Sequence, residues 1–132
     1  MSAILPTLSD LNRPFWDGCR AGELRLQRCR GCGELLYPVA PLCPRCLSTE
    51  LAWERVSGRG RVFSFAVFRH VYHEAWAARV PYTVALVELD EGPRMLSNVV
   101  GVPPEEVRVG MAVTVVFEPE GELAIPRFRP AR

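Results

Sequence analysis

Four cysteines constrain this chain more than any other feature. They form two pairs, Cys29-Arg30-Gly31-Cys32 and Cys43-Pro44-Arg45-Cys46, separated by ten residues. Two residues between cysteines let both sulfurs of a pair converge from one tight turn, so each pair supplies one side of a tetrahedral ion. Gly33, directly after the first pair, offers the positive φ that closes such a turn. A closed set of four thiolates leaves no open position for water, so the site is expected to be structural rather than Lewis acidic. The expected cofactor is one zinc ion per chain, held by Cys29, Cys32, Cys43 and Cys46. Iron accepts the same four-sulfur geometry, and spacing alone does not separate the two. Nothing else in the sequence suggests electron transfer. Cys19 lies outside both pairs and has no histidine near it, so it is expected to be a small hydrophobe on a helix face rather than a nucleophile.

With 132 residues, 48% hydrophobic and 23% charged, the chain has the balance of one folded domain or two very small ones, not of a disordered tail. No run approaches the roughly 20 apolar residues that cross a bilayer. Met1–Pro6 has neither the basic start nor the apolar core of a signal peptide, so the expected compartment is the cytoplasm. Cysteines there serve metals more often than disulfides. All sixteen basic residues are arginine, which excludes Schiff-base lysine chemistry and a P-loop lysine. Sixteen basic against fifteen acidic residues give a net charge of +1, well short of the basic excess of a chain built to grip nucleic acid.

Three segments are expected. Residues 1–22 hold a short helix over 8–22, capped by Ser9 or Asn12, with Pro14 in its first turn and Gly22 at its end. Residues 23–56 form a metal ribbon, with Leu24 and Leu26 alternating into Cys29 and with strands at 35–37 and 51–53. So small a unit lacks the core to fold without its ion. Residues 57–132 are all β, with strands at 60–71, 82–89, 94–100, 112–118 and 123–128 and a single helical turn at 103–107. Five strands in such a length fit a small closed barrel, and the OB-fold is the natural candidate. The fold class is therefore mainly β: one short helix, a four-cysteine ribbon and a five-stranded barrel.

Pro14-Phe15-Trp16-Asp17-Gly18, Gly22–Cys29, Cys43–Cys46, Gly58–Phe65, Pro81-Tyr82, Leu89–Gly92, Val109–Val113 and Phe128-Arg129-Pro130 occur in an order and spacing that resembles one family. It is the DUF35 type, in which a rubredoxin-like zinc ribbon precedes an OB-fold. The resemblance implies an accessory subunit of an acyl-CoA enzyme, with a thiolase-like or lipid-transfer-protein-like aldolase partner, as in steroid side-chain degradation, or a MaoC-like hydratase partner. It also implies that the partner carries catalysis while the OB protein helps to form the acyl-CoA site. The competing class is a zinc-ribbon and OB-fold nucleic-acid module, which needs a basic groove with stacked aromatics.

Among single residues, Arg59, Arg61, Arg69 and Arg79 are the candidates for CoA phosphates, because a guanidinium bonds two oxygens at once. Phe15 and Trp16 on the helix, with Tyr72, His73 and Trp76 in the loop after the first barrel strand, are the candidate partner contacts. His70, His73 and Glu74 are too few to assign a metal site or acid–base chemistry. Phe63 and Phe65 are expected on one strand face and Phe68 on the other.

Overall fold

The computed structural model describes residues 7–69 and 81–131. Ser9 and Asn12 open the helix by exchanging hydrogen bonds: the Ser9 N–H donates to Asn12 Oδ1 at 2.8 Å, and the Asn12 N–H donates to Ser9 Oγ at 3.3 Å. Pro14 occupies the first turn of α1 (Arg13–Arg20), where a missing N–H costs nothing. The helix is shorter than expected chiefly because it begins at Arg13 rather than at residue 8, after the Ser9–Asn12 turn, and Gly22, at φ +81°, turns the chain away at its end. The Glu23 N–H then reaches Gly18 O at 2.8 Å and the Gly22 N–H reaches Cys19 O at 3.1 Å, the two bonds of a Schellman closure.

α1 packs on β1 (Leu24–Cys29) and on β8 (Leu123–Pro130), burying Phe15, Gly18 and Cys19. This corrects the expectation that Phe15 projects toward a partner. Its side chain is 3% exposed and lies beside Trp16 and Tyr37, with ring centroids 4.9 and 6.0 Å away. An eight-residue helix is unstable alone. Its one apolar face is used inside the chain to hold it.

β1 is the centre of a three-stranded antiparallel sheet, flanked by β2 (Leu35–Leu36) and β3 (Leu51–Val56). The simple alternation expected for β1 breaks at Gln27, which is buried next to Leu26. Its amide explains why: Nε2 donates to Ala40 O at 3.0 Å and Oε1 accepts from the Ala40 N–H at 2.9 Å. One side chain thus satisfies both backbone groups of a residue that lies outside any strand.

The remaining strands are β4 (Arg59–Phe68), β5 (Tyr82–Leu89), β6 (Arg94–Val99) and β7 (Ala112–Glu120). With β8 they close a barrel in the order β4-β5-β6-β8-β7, in which β6 and β8 run parallel. A single 3-10 turn at Pro104–Glu106 links β6 to β7. This is the five-stranded OB-fold architecture. β4 pairs with both β5 and β7, and its glycines permit that approach. A methyl on Gly60 would strike the Glu88 carbonyl, and one on Gly58, at φ +77°, would strike the Val115 side chain.

A bulge between Val62 and Ser64 shifts the alternation of β4. Phe63 therefore points outward, 44% exposed, while Phe65 packs on the core, so the two do not share a face. Val62, Ala85, Val87, Met95, Val113 and Phe128 fill the barrel, and the same cluster continues through Leu24, Leu26, Phe15 and Cys19. Helix, ribbon base and barrel share one core. No helix among the described residues is long and apolar enough to cross a membrane.

Candidate metal centre and barrel surfaces

The two cysteine pairs fold into turns with the same backbone wiring. In the first, the Gly33 N–H donates to Cys29 O and the Cys29 N–H to Glu34 O, both at 2.8 Å. In the second, the Leu47 N–H donates to Cys43 O at 2.7 Å and the Cys43 N–H to Ser48 O at 2.9 Å. Gly33 and Leu47 hold corresponding positions and both have positive φ, +82° and +65°. Leu47 is the sole non-glycine residue of that kind among the described residues. The strands brace the turns: Arg30 N–H reaches Glu50 O at 2.8 Å, and Arg28 bonds Gly33 O at 3.0 Å while pairing with both oxygens of Glu54. The Arg28 guanidinium holds the Glu54 carboxyl below the usual carboxylate range.

The four sulfurs lie within 4.8 Å of one another. Cys29 Sγ is 3.5 Å from Cys46 Sγ, and Cys32 Sγ is 3.7 Å from Cys43 Sγ. A tetrahedron of thiolates about 2.3 Å from a central zinc has edges of about 3.8 Å, so the donor set fits the ion in number, chemistry and spacing. Cys29 and Cys43 are buried and Cys32 and Cys46 exposed. The Cys32 N–H holds the Cys29 thiol down to about 6. The Glu34 N–H acts likewise on Cys32, but desolvation of its sulfur and hydrogen bonding among the thiols outweigh it and raise that group to about 12. A metal entering the cluster displaces the remaining protons.

Cys19 belongs to the core, 1% exposed, and burial pushes its thiol up to about 12. It stays protonated and unreactive at neutral pH, as a buried structural thiol does.

Of the candidate phosphate-binding arginines, Arg59 and Arg61 lie two residues apart on β4 and both are exposed, while Arg69 stands away from them. Arg59 pairs with Asp90 at 3.9 Å, Arg61 donates to Gly110 O at 3.0 Å, and Arg69 pairs with Glu105 at 3.5 Å. Arg69 lies beyond the far end of β4, about 25 Å from Arg61 at the usual strand rise. Arg79 falls outside the described residues, as do His70, Tyr72, His73, Glu74 and Trp76. Trp16 is half-buried against the core.

A polar centre that sequence reasoning missed sits on the barrel. Arg127, 4% exposed, donates from Nη1 to Glu118 Oε1 at 2.7 Å and to Glu120 Oε2 at 3.3 Å, and from Nε to Asn98 Oδ1 at 3.3 Å. The Glu-Pro-Glu alternation at 118–120, followed by an arginine on the next strand, is its faint signal in the sequence. Arg127, Glu118, Asn98, Thr83 and Tyr82 line a cleft of about 300 Å³.

Comparison with known proteins matches residues 16–52 to the ChsH2 rubredoxin-like zinc ribbon domain and residues 53–118 to the ChsH2 C-terminal OB-fold domain. A Thermomonospora curvata protein described as a probable enoyl-CoA hydratase alpha subunit is 38% identical over 127 residues, covering 96% of this chain but 39% of the relative. A DUF35 domain-containing scaffold protein of Methanocaldococcus jannaschii is 37% identical over 91 residues, 68% of this chain and 64% of the relative. The chain thus spans less than two thirds of the length of either relative. Among solved structures, a chain of the Ltp2-ChsH2(DUF35) aldolase superposes with a TM-score of 0.86 at 37% identity, covering 97% of this chain and 100% of that one.

Proposed function

The chain belongs to the ChsH2-type family of zinc-ribbon and OB-fold proteins, and from that premise we propose that it is an accessory subunit of an acyl-CoA-processing complex whose partner is an aldolase, a thiolase-like enzyme or a hydratase. The observation that carries this reading is the end-to-end match, ribbon and barrel together, to a chain of a solved aldolase complex. In the proposed assembly one zinc is held by Cys29, Cys32, Cys43 and Cys46. It ties the two turns together and leaves no position for substrate. In that assembly the ribbon, residues 23–56, docks on the partner. The barrel, residues 57–132, stands near the entrance of the acyl-CoA site, with the partner supplying the catalytic groups.

The test is purification of the tagged chain from its native host, with metal analysis and mass identification of what co-purifies. One zinc per chain with a stoichiometric partner of the aldolase, thiolase or hydratase class is the expected result. A chain recovered alone, or holding nucleic acid through a moderate-salt wash, refutes the proposal.

A further inference from the structure

Four thiolates around one ion are equivalent as ligands, but the fold does not treat these four alike. Cys29 and Cys43 are fully buried, whereas Cys32 and Cys46 are exposed. The backbone sharpens the contrast. The Cys29 sulfur accepts from two N–H groups, those of Cys32 and Gly31, while the Cys32 sulfur accepts from that of Glu34 and the Cys46 sulfur from that of Ser48. Each such bond stabilises charge on sulfur, and a stabilised thiolate is the weaker nucleophile. The short sulfur–sulfur distances cross between the two turns, and each joins one sulfur of either kind. Exposed Cys46 stands 3.5 Å from buried Cys29, and exposed Cys32 stands 3.7 Å from buried Cys43. An accessible thiolate poised beside a shielded one is the arrangement of a redox-active pair. Cys19 takes no part. It is 1% exposed and burial keeps its thiol protonated, so it neither meets an oxidant nor exchanges with the cluster.

We infer that the four-cysteine centre is a reversible site of oxidation by hydrogen peroxide, with Cys46 and Cys32 as the attacking thiolates and Cys29 and Cys43 as the resolving ones. The Cys46 thiolate attacks one peroxide oxygen: an S–O bond forms, the O–O bond breaks and hydroxide leaves, giving a sulfenic acid. The Cys29 thiolate then attacks that sulfur: the S–S bond forms, the S–O bond breaks and a second hydroxide leaves. Two thiolates have lost two electrons and one peroxide has gained them. Cys32 and Cys43 consume a second peroxide in the same way. A disulfide sulfur no longer carries the negative charge that makes a thiolate a metal ligand, so oxidation of the pairs releases zinc as the free dication. A dithiol reductant regenerates the thiolates by exchange. The chemistry stays within the ribbon, because residues 57–132 contain no cysteine.

The experiment treats the zinc-loaded full-length chain with hydrogen peroxide and reads released zinc with a chromogenic chelator. Disulfides are mapped in parallel by alkylation and mass spectrometry. About two peroxides should release about one zinc, leaving Cys29 linked to Cys46, Cys32 linked to Cys43 and Cys19 free. Dithiothreitol with added zinc should restore the metal content. Cys19→Ala should lose zinc at a rate within about twofold of wild type, since the core thiol is outside the chemistry. Bonds within the pairs, Cys29 to Cys32 and Cys43 to Cys46, overturn the assignment of attacking and resolving thiolates. A bond to Cys19, or a much slower release in Cys19→Ala, overturns it as well. Zinc retained in a large excess of peroxide, or lost only as the cysteines pass to sulfinic acids that no dithiol reverses, overturns the inference as a whole.

Discussion

At the tip of the ribbon, the separate buried cluster holds only Cys29, Leu36 and Cys43, with Leu51 beside it. In the barrel, Val62, Val87, Leu89, Met95, Val113 and Phe128 are each no more than 2% exposed. The tip has almost no apolar area to bury, so four metal–sulfur bonds must replace a core. The barrel closes its sheet on itself and fills its interior with side chains. Leu24, Leu26 and Val56, at the ribbon's base, belong to the barrel's cluster. The ribbon is therefore anchored apolar at one end and held by an ion at the other, and its stability should divide along that line.

The largest effect comes from removing the ion. Structural zinc contributes about 10–16 kcal/mol in zinc-finger peptides at neutral pH. Chelation, or Cys29→Ser, should abolish amide-exchange protection around 29–50 while β4 to β8 stay protected. Equal loss of protection in the barrel would break the comparison and make the whole chain one cooperative unit. Next is Phe128→Ala, which deletes a fully buried ring and should cost about 3–5 kcal/mol in chemical denaturation. Zinc content should survive that substitution under native conditions, since the thiols are untouched.

A pH-dependent effect follows. The Cys19 thiol sits at about 12 in the fold against an ordinary value of 9.0. From pH 9 upward the unfolded chain loses this proton while the folded chain keeps it, so the contribution is intact below pH 9 and declines as pH rises toward 12. The slope is about 1 kcal/mol per pH unit over that window, and Cys19→Ala should flatten it in denaturation curves. A slope unchanged in Cys19→Ala would assign the alkaline loss to other groups.

The smallest effects compare the two metal turns. Gly33→Ala forces a Cβ into φ +82° and should cost about 1 kcal/mol in metal-loaded stability. Leu47→Gly relieves the same strain at φ +65° but loosens the unfolded chain, so it should fall within about 0.5 kcal/mol of wild type. A large loss in Leu47→Gly would show that this exposed leucine, 68% accessible, has a packing role that the isolated chain does not display.

The cysteine pairs were legible because their chemistry depends on local spacing, and the two backbone turns repeat that spacing faithfully. The barrel strands were legible for a similar reason: alternation and Gly or Pro punctuation at Asp90–Pro93 are short-range signals. Phe15 was misread because helical periodicity identifies an apolar face without saying what covers it, and β8, which meets the helix, lies at the other end of the chain. The bulge at Phe63 was equally hidden, since one inserted residue reverses a face without leaving a mark in composition. Gln27 and Arg127 look like surface residues until distant partners, Ala40 in one case and Glu118 with Glu120 in the other, arrive to satisfy them.

By itself the amino-acid sequence determined which residues can meet an ion and where strands begin and turn, because these depend on neighbours within a few residues. It also determined that no lysine chemistry is available. Only the tertiary structure decided that the helix closes onto the barrel. That outcome depends on which elements meet across the fold, a property of residues far apart in sequence.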